Sequence, residues 1–195
     1  MTEVAGTDRA PIVQPRVLMV VAERGTSGRI AQAEEELPSW LSDARTHASS
    51  DAAPVVSVVH FSATPQVTPQ VTTNAAASLP CLRTWELVDR LDRVEVVHVC
   101  RPATPAGELA VLAAKVLKKR LVVSDLAVRD STLGVSVGML DLADVLICDS
   151  ALEAELYGRH PGIRVLDGDD PVLELHSIYA DLFRTTRVEA GRKDG

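Results

Sequence analysis

Residues 94–99 read Val-Glu-Val-Val-His-Val, residues 121–125 read Leu-Val-Val-Ser-Asp and residues 145–148 read Val-Leu-Ile-Cys. Such short runs, rich in β-branched residues, are typical of strands buried on both faces of a sheet. Apolar residues at helical spacing predict a helix over 105–118, and a second, glycine-weakened helix is predicted over 133–142. Strand, helix, strand, helix, strand indicates right-handed parallel crossover units. Folds of this kind bind ligands beyond the carboxyl ends of their strands.

The rest of the chain extends the same pattern. Further strands are predicted at 16–22, 54–61 and 161–166, and further helices at 29–36, 82–92, 151–157 and 171–184. The predicted fold class is α/β, a Rossmann-like three-layer sandwich around a mostly parallel central sheet. We expect one domain over 15–184, closed by the helix 171–184, between disordered tails at 1–14 and 185–195.

Composition excludes several classes of function. The 195 residues are 46% hydrophobic and carry a net charge of −7, which disfavours a nucleic-acid or anionic membrane surface. The three cysteines, Cys81, Cys100 and Cys148, are widely spaced, so we interpret them as reduced thiols and expect no metal site. No signal peptide or run of bilayer length is present, which predicts a cytoplasmic protein without a transmembrane segment.

Three motifs occur in order through the middle third of the chain. They are Glu-Val-Val-His-Val at 95–99 followed by Pro102, Arg-Leu-Val-Val-Ser-Asp at 120–125, and Leu-Ala-Asp-Val-Leu-Ile-Cys-Asp-Ser at 142–150 with the Ala/Glu-rich stretch 151–156. Together they resemble the amino-terminal half of family-four glycosyltransferases of the GT-B class. The resemblance implies a single GT-B-like lobe, the side of such an enzyme that faces the acceptor.

The resemblance also implies that something is missing. GT-B enzymes bind the sugar nucleotide mainly in a carboxyl-terminal domain. Here Asp-Gly-Asp-Asp at 167–170 stands where the family has Asn-Gly-Val-Asp, and the chain passes almost directly to the helix 171–184, which resembles the family's closing helix. We therefore expect no cofactor on this chain alone, and a sugar nucleotide only if a partner supplies the donor domain.

Two residues are candidates for catalysis. His98 and Asp125 match polar positions of the family, whereas Cys100 and Leu126 replace two of its histidines. The alternative for His98 is a buried imidazole hydrogen-bonded to the backbone. The alternative for Asp125, at a strand end, is capping of the loop that follows.

The other candidate residues would bind substrate. Gly25, Thr26, Ser27 and Gly28 lie between the first strand and a helix start, where backbone amides can hold an anion, and Asp170 precedes the closing helix. The alternatives are a tight turn with Ser27 as a helix cap and an acidic turn at 167–170. The pattern matches neither the dinucleotide fingerprint nor the Walker loop.

Three functions remain open from the sequence. The chain is the acceptor-side half of a glycosyltransferase that transfers hexosyl groups only with a partner, or a non-catalytic partner of such an enzyme, or a free-standing flavodoxin-like domain with an unrelated small ligand. The first two predict a protein partner, either a glycosyltransferase or a second copy, across the carboxyl edge of the strands.

Overall fold

A seven-stranded parallel sheet runs through the part of the chain that this computed structural model describes, which is residues 14–22, 54–61, 81–124, 137–148, 150–158, 160–166 and 170–193. The strands are β1 (Arg16–Ala22), β2 (Val55–Phe61), β3 (Cys81–Leu82), β4 (Val96–Cys100), β5 (Arg120–Ser124), β6 (Val145–Cys148) and β7 (Ile163–Val165). Their order across the sheet is β3-β2-β1-β4-β5-β6-β7. The predicted Rossmann-like α/β class is thereby confirmed.

Five helices connect or follow these strands in the described residues. They are α1 (Thr84–Asp92), α2 (Pro105–Val116), α3 (Val137–Leu140), α4 (Ala151–Leu156) and α5 (Pro171–Lys193). The predicted helix 29–36, and the first part of the one predicted over 133–142, lie outside the described residues. So does the predicted tail 1–14, apart from Gln14.

The carboxyl-terminal helix differs from its prediction. α5 continues to Lys193, so the boundary at residue 184 and the tail assigned from 185 onward are wrong over most of that segment. Once the first part of a helix is held by packing, each further residue adds a hydrogen bond at little cost, even where the sequence is charged. The hydrogen-bond pattern of α5 therefore continues through this charged segment.

Alternate residues of the central strands enter two separate cores, which makes the fold three-layered. From β1, Leu18 and Val20 pack on one face with residues of α1, α2 and α4. Val17 and Met19 pack on the other face with Leu175, Ile178 and Tyr179 of α5. Because both faces of β1 and β4 are covered, these strands are apolar in nearly every position, as their sequence runs indicated.

The topology fixes where the strand ends meet. β1 pairs with β2 on one side and with β4 on the other, so the strand order reverses between β1 and β4. The carboxyl ends of all seven strands share one edge of the sheet, which we call the carboxyl edge. The helices α1, α2 and α4 each begin at that edge, directly after β3, β4 and β6.

The outermost strand, β7, is short and is approached closely by its neighbour. A Cβ at Gly162, just before β7, would clash with the Asp144 carbonyl oxygen, so only glycine allows this backbone approach. Within β7, the Arg164 guanidinium donates to the carbonyl oxygen of Ile163 at 2.8 Å. One backbone acceptor at this end of the sheet is thus occupied by a side chain of the same strand.

Paired charges hold the opposite, amino-terminal edge of the sheet together. The Asp144 carboxylate, which precedes β6, accepts hydrogen bonds from Lys115 Nζ and Arg120 Nη1 at 3.1 Å and from the Leu121 amide at 2.7 Å. Burial opposes ionisation of Asp144, but these donors outweigh it and hold the pKa of the carboxyl below its usual range. Asp144 therefore joins α2, β5 and β6 at one point.

We expect Asp144→Asn to lower the free energy of unfolding by about 2 kcal/mol at pH 7, because a charged acceptor of three hydrogen bonds is lost from a mostly buried position. Since the folded pKa of Asp144 is depressed, its contribution is complete above the unfolded pKa and is lost as pH falls through the folded pKa. Urea unfolding of both proteins at pH 7 and at pH 3 measures this difference.

The matched control is Asp89→Asn, which removes a carboxylate from an exposed pair with Arg93 on α1. Exposed pairs of this kind contribute little, so the control is expected to unfold close to the wild type. An equal decrease in the free energy of unfolding for the two variants would show that Asp144 contributes no more to stability than a surface carboxylate.

Candidate functional site

The carboxyl edge at the reversal between β1 and β4 is the candidate site. In open parallel sheets a crevice forms where neighbouring crossovers leave on opposite faces, and ligands bind there. β1 ends at Ala22 and β4 at Cys100, with Val21 aligned to Cys100 in the register of the two strands. The carboxyl ends of β1 and β4 therefore lie side by side at this reversal.

The structure describes only some of the predicted site residues. Gly25, Thr26, Ser27, Gly28 and Asp125 lie outside the described residues, so their roles stay predictions. The strands that precede them, β1 and β5, both end at the carboxyl edge.

Asp170 has a structural role. Its carboxylate accepts a hydrogen bond from the Leu173 amide at 3.0 Å, and its carbonyl accepts one from the Glu174 amide at 3.2 Å. Asp170 thus caps the amino terminus of α5, which is a preferred use of aspartate. The side chain is exposed and lies just before the first residue of α5.

His98 lies in the middle of the sheet and has no exposed surface. Its Nδ1 lies 2.6 Å from the hydroxyl of Tyr179 on α5, and its Nε2 lies 2.8 Å from Ser124 Oγ at the end of β5. Sequence analysis expected backbone partners for a buried His98, whereas these partners are side chains. The ring belongs to the core between the sheet and α5 and does not line a crevice.

The hydrogen bonds of this group have a consistent direction. We assign the ring hydrogen of His98 to Nε2, because Ser124 Oγ donates to Cys100 Sγ at 3.5 Å and then accepts from Nε2. The Nδ1 atom then carries no hydrogen and accepts from the Tyr179 hydroxyl. We refer to Tyr179, His98, Ser124 and Cys100 as the buried relay.

Burial keeps the relay neutral. Desolvation lowers the pKa of His98 to about 3, far below the range in which a histidine exchanges protons near neutral pH. Burial, together with the nearby Cys100 sulfur, raises the pKa of Tyr179 well above its ordinary value. With an imidazole and a phenol both held uncharged, the relay is suited to joining elements rather than to acid–base catalysis.

Next to the relay, Arg101 forms a tight turn that sequence reasoning did not single out. It is a buried non-glycine residue with φ of 64°, a left-handed conformation costing about 1–2 kcal/mol. Its amide donates to the Ser124 carbonyl at 3.1 Å, and its own carbonyl accepts from the Thr104 hydroxyl at 3.1 Å. These bonds hold residues 101–104, the Arg101 turn, against the ends of β4 and β5.

The start of α2 completes this turn. Thr104 caps the helix by accepting from the Gly107 amide at 3.0 Å, and Pro105 takes the first helical position. A Cβ at Gly107 would clash with the Arg101 carbonyl and approach the Pro102 backbone. The sequence signal for this cap, Thr-Pro before an apolar periodic run, is visible, whereas the left-handed Arg101 has no signal of its own.

Two classes of feature are absent from the described residues. No three or more His, Cys, Asp or Glu side chains among them form a group that would hold a metal ion. None of the helices in those same ranges combines the length and apolar character needed to cross a bilayer.

Comparison with known proteins identifies no family for this chain. Neither a protein-family model nor a curated protein matches it. Among solved structures, the homoserine dehydrogenase of S. aureus at pH 6.0 is similar over 78% of this chain, with 11% sequence identity and a TM-score of 0.33. The match spans 32% of the dehydrogenase chain.

Because burial lowers the pKa of His98 from its ordinary value of 6.5 to about 3 in the folded protein, the unfolded state binds the extra proton between those values. We therefore expect the contribution of neutral His98 to the free energy of unfolding to be complete above pH 6.5. That contribution decreases as pH falls below this value. The loss between pH 7 and pH 5 is about 2 kcal/mol. Chemical denaturation at a series of pH values measures it.

The control variant is His98→Gln, which keeps a polar side chain but cannot titrate. Its stability at pH 7 is expected to be lower, with a flatter dependence on pH between 7 and 5. If the free energy of unfolding changes with pH equally in the wild type and the variant, the neutral buried imidazole is not the source of the pH dependence.

Proposed function

We propose that this chain is a single GT-B-like lobe that acts as a non-catalytic partner of a glycosyltransferase, binding the second protein across the carboxyl edge. The partner supplies the donor domain and any sugar nucleotide, and the complex works in the cytoplasm. The sequence motifs at 95–99, 120–125 and 142–150 support the GT-B part of this proposal.

The state of His98 carries the non-catalytic part of the proposal. It is the one catalytic candidate among the described residues, and its ring is enclosed, neutral and bonded to Tyr179 and Ser124. A general base must reach the proton that it abstracts and must have a pKa near the working pH. His98 satisfies neither requirement, which favours a binding role over an active half-enzyme.

The position of α5 supports the resemblance on which the proposal depends. The resemblance implies a closing helix that packs on the first lobe, and α5 packs on the sheet through Leu175, Ile178 and Tyr179. All the strand pairs in the described sheet are parallel, as that lobe requires.

Exposed apolar side chains at helix starts support a partner at the carboxyl edge. Trp85 in the first turn of α1 is 65% exposed, Leu152 in α4 is 73% exposed and Leu173 in α5 is 67% exposed. These three helices follow β3, β6 and β7, so the side chains are spread along the carboxyl edge. Seven strands span roughly 30 Å, which is wide enough for an interface of standard size.

A second candidate function is a free-standing Rossmann-like domain that binds an unrelated small ligand. The observation in its favour is the Arg101 turn, a strained and buried backbone at the strand reversal where such folds place their ligands. The two candidates differ in whether the isolated chain binds a small molecule at all.

Calorimetric titration of the purified chain with UDP-glucose and GDP-mannose tests the first point, and we expect no saturable heat. The tagged chain, recovered from its native cell, is expected to bring down a glycosyltransferase identified by mass spectrometry. The same pair is then reconstituted from purified proteins. Saturable binding of either nucleotide by the chain alone would contradict the partner proposal.

Substitution locates the interface. The double variant Trp85→Glu, Leu173→Glu is expected to weaken binding to that transferase at least 10-fold, because two charges enter the apolar contact. Val116→Glu is the matched control, since Val116 is 79% exposed at the end of α2, which lies toward the opposite edge of the sheet. Equal weakening by both variants would place the interface elsewhere.

A further inference from the structure

We propose that helix α5 sets the conformation of the Arg101 turn through the buried relay, so that α5 is a positioning element for the strand reversal at the carboxyl edge. This inference is independent of the proposed partner and of the chemistry of any ligand. It concerns how the helix on one face of the sheet controls the geometry at the carboxyl edge.

The relay begins on α5. The Tyr179 hydroxyl is 2.6 Å from Nδ1 of His98, and the side chain of Tyr179 is completely buried among the residues that α5 packs on the sheet. The two rings also meet edge to face, with centroids 5.9 Å apart. Displacing α5 therefore removes the hydroxyl that donates to Nδ1 of His98. Water does not replace it, because the ring is completely buried.

Ser124 connects the relay to the turn. Its hydroxyl lies 2.8 Å from His98 Nε2 and donates to Cys100 Sγ, while its backbone carbonyl accepts from the Arg101 amide at 3.1 Å. Cys100 is the residue immediately before Arg101 in the chain. The last residues of β4 and β5 are thus joined both by side chains and by the backbone at the point where the turn begins.

Two physical effects explain how a change at α5 reaches the Arg101 turn. Each relay member lies in the interior, where an unsatisfied polar group is costly, so losing one bond favours rearrangement of the next. The Arg101 backbone is left-handed, a conformation that persists only where its surroundings enforce it. Loosening the ends of β4 and β5 allows Arg101 to leave that conformation.

The consequence concerns the candidate site. The Arg101 turn carries the start of α2 and lies at the strand reversal, the place where folds of this class bind ligands. When α5 is docked, the turn is held in one geometry. When α5 moves, the turn gains access to others.

Amide hydrogen exchange measured by NMR under native conditions tests the connection. In Tyr179→Phe, which removes only the hydroxyl, we expect the Arg101 amide to exchange at least 10-fold faster than in the wild type. The Leu121 amide, bonded to Asp144 at the opposite edge, is the internal reference and is expected to keep its rate. Ser124→Ala breaks the relay from the other end and is expected to have the same local effect.

Ile178→Val is the matched control, because it trims the same core face of α5 and removes none of the polar groups of the relay. The ring nitrogen shifts of His98 provide a second readout, since Nδ1 loses its contact with the Tyr179 hydroxyl in Tyr179→Phe and its shift is expected to move. Equal acceleration of Arg101 and Leu121 would mean general destabilisation and would overturn the proposal. So would an Arg101 rate in Tyr179→Phe that matches the one in Ile178→Val.

Discussion

A fully buried imidazole in the middle of a parallel sheet must find its hydrogen-bond partners inside the protein. His98 has Tyr179 from α5 on one side and Ser124 from β5 on the other. These two contacts bring together the helix that covers one face of the sheet and the strand ends that form the candidate site. These hydrogen bonds link α5 to the ends of β4 and β5, and burial keeps the ring neutral.

The two edges of the sheet use polar groups in different ways. At the amino-terminal edge, charges are paired and partly open to solvent, with Asp144 between Lys115 and Arg120. Beside the ends of β4 and β5 at the carboxyl edge, the described polar side chains of His98, Ser124 and Thr104 are buried and hydrogen-bonded. The first arrangement joins elements through charged groups, whereas the second joins them through buried hydrogen bonds.

Much of the fold could be predicted from the sequence because β-branched runs and helical spacing are local signals. β1 and β6 are confirmed at their predicted bounds. β3 was missed since two residues are too few to show a pattern, and α5 was ended early because its extension is polar. The candidate site was less predictable. Tyr179 is 81 residues from His98, so no local pattern connects them. A left-handed backbone is expected at glycine, whereas here the residue is Arg101.

The outermost strand has its own consequence for how copies of this protein can meet. β7 offers only three residues, and the guanidinium of Arg164 already occupies the Ile163 carbonyl. An unguarded border strand invites a neighbouring molecule to continue the ladder, a common route to fibrous aggregates. A brief strand whose acceptor is already engaged discourages that growth, so a second copy of the protein gains little by pairing with the β7 edge of the sheet.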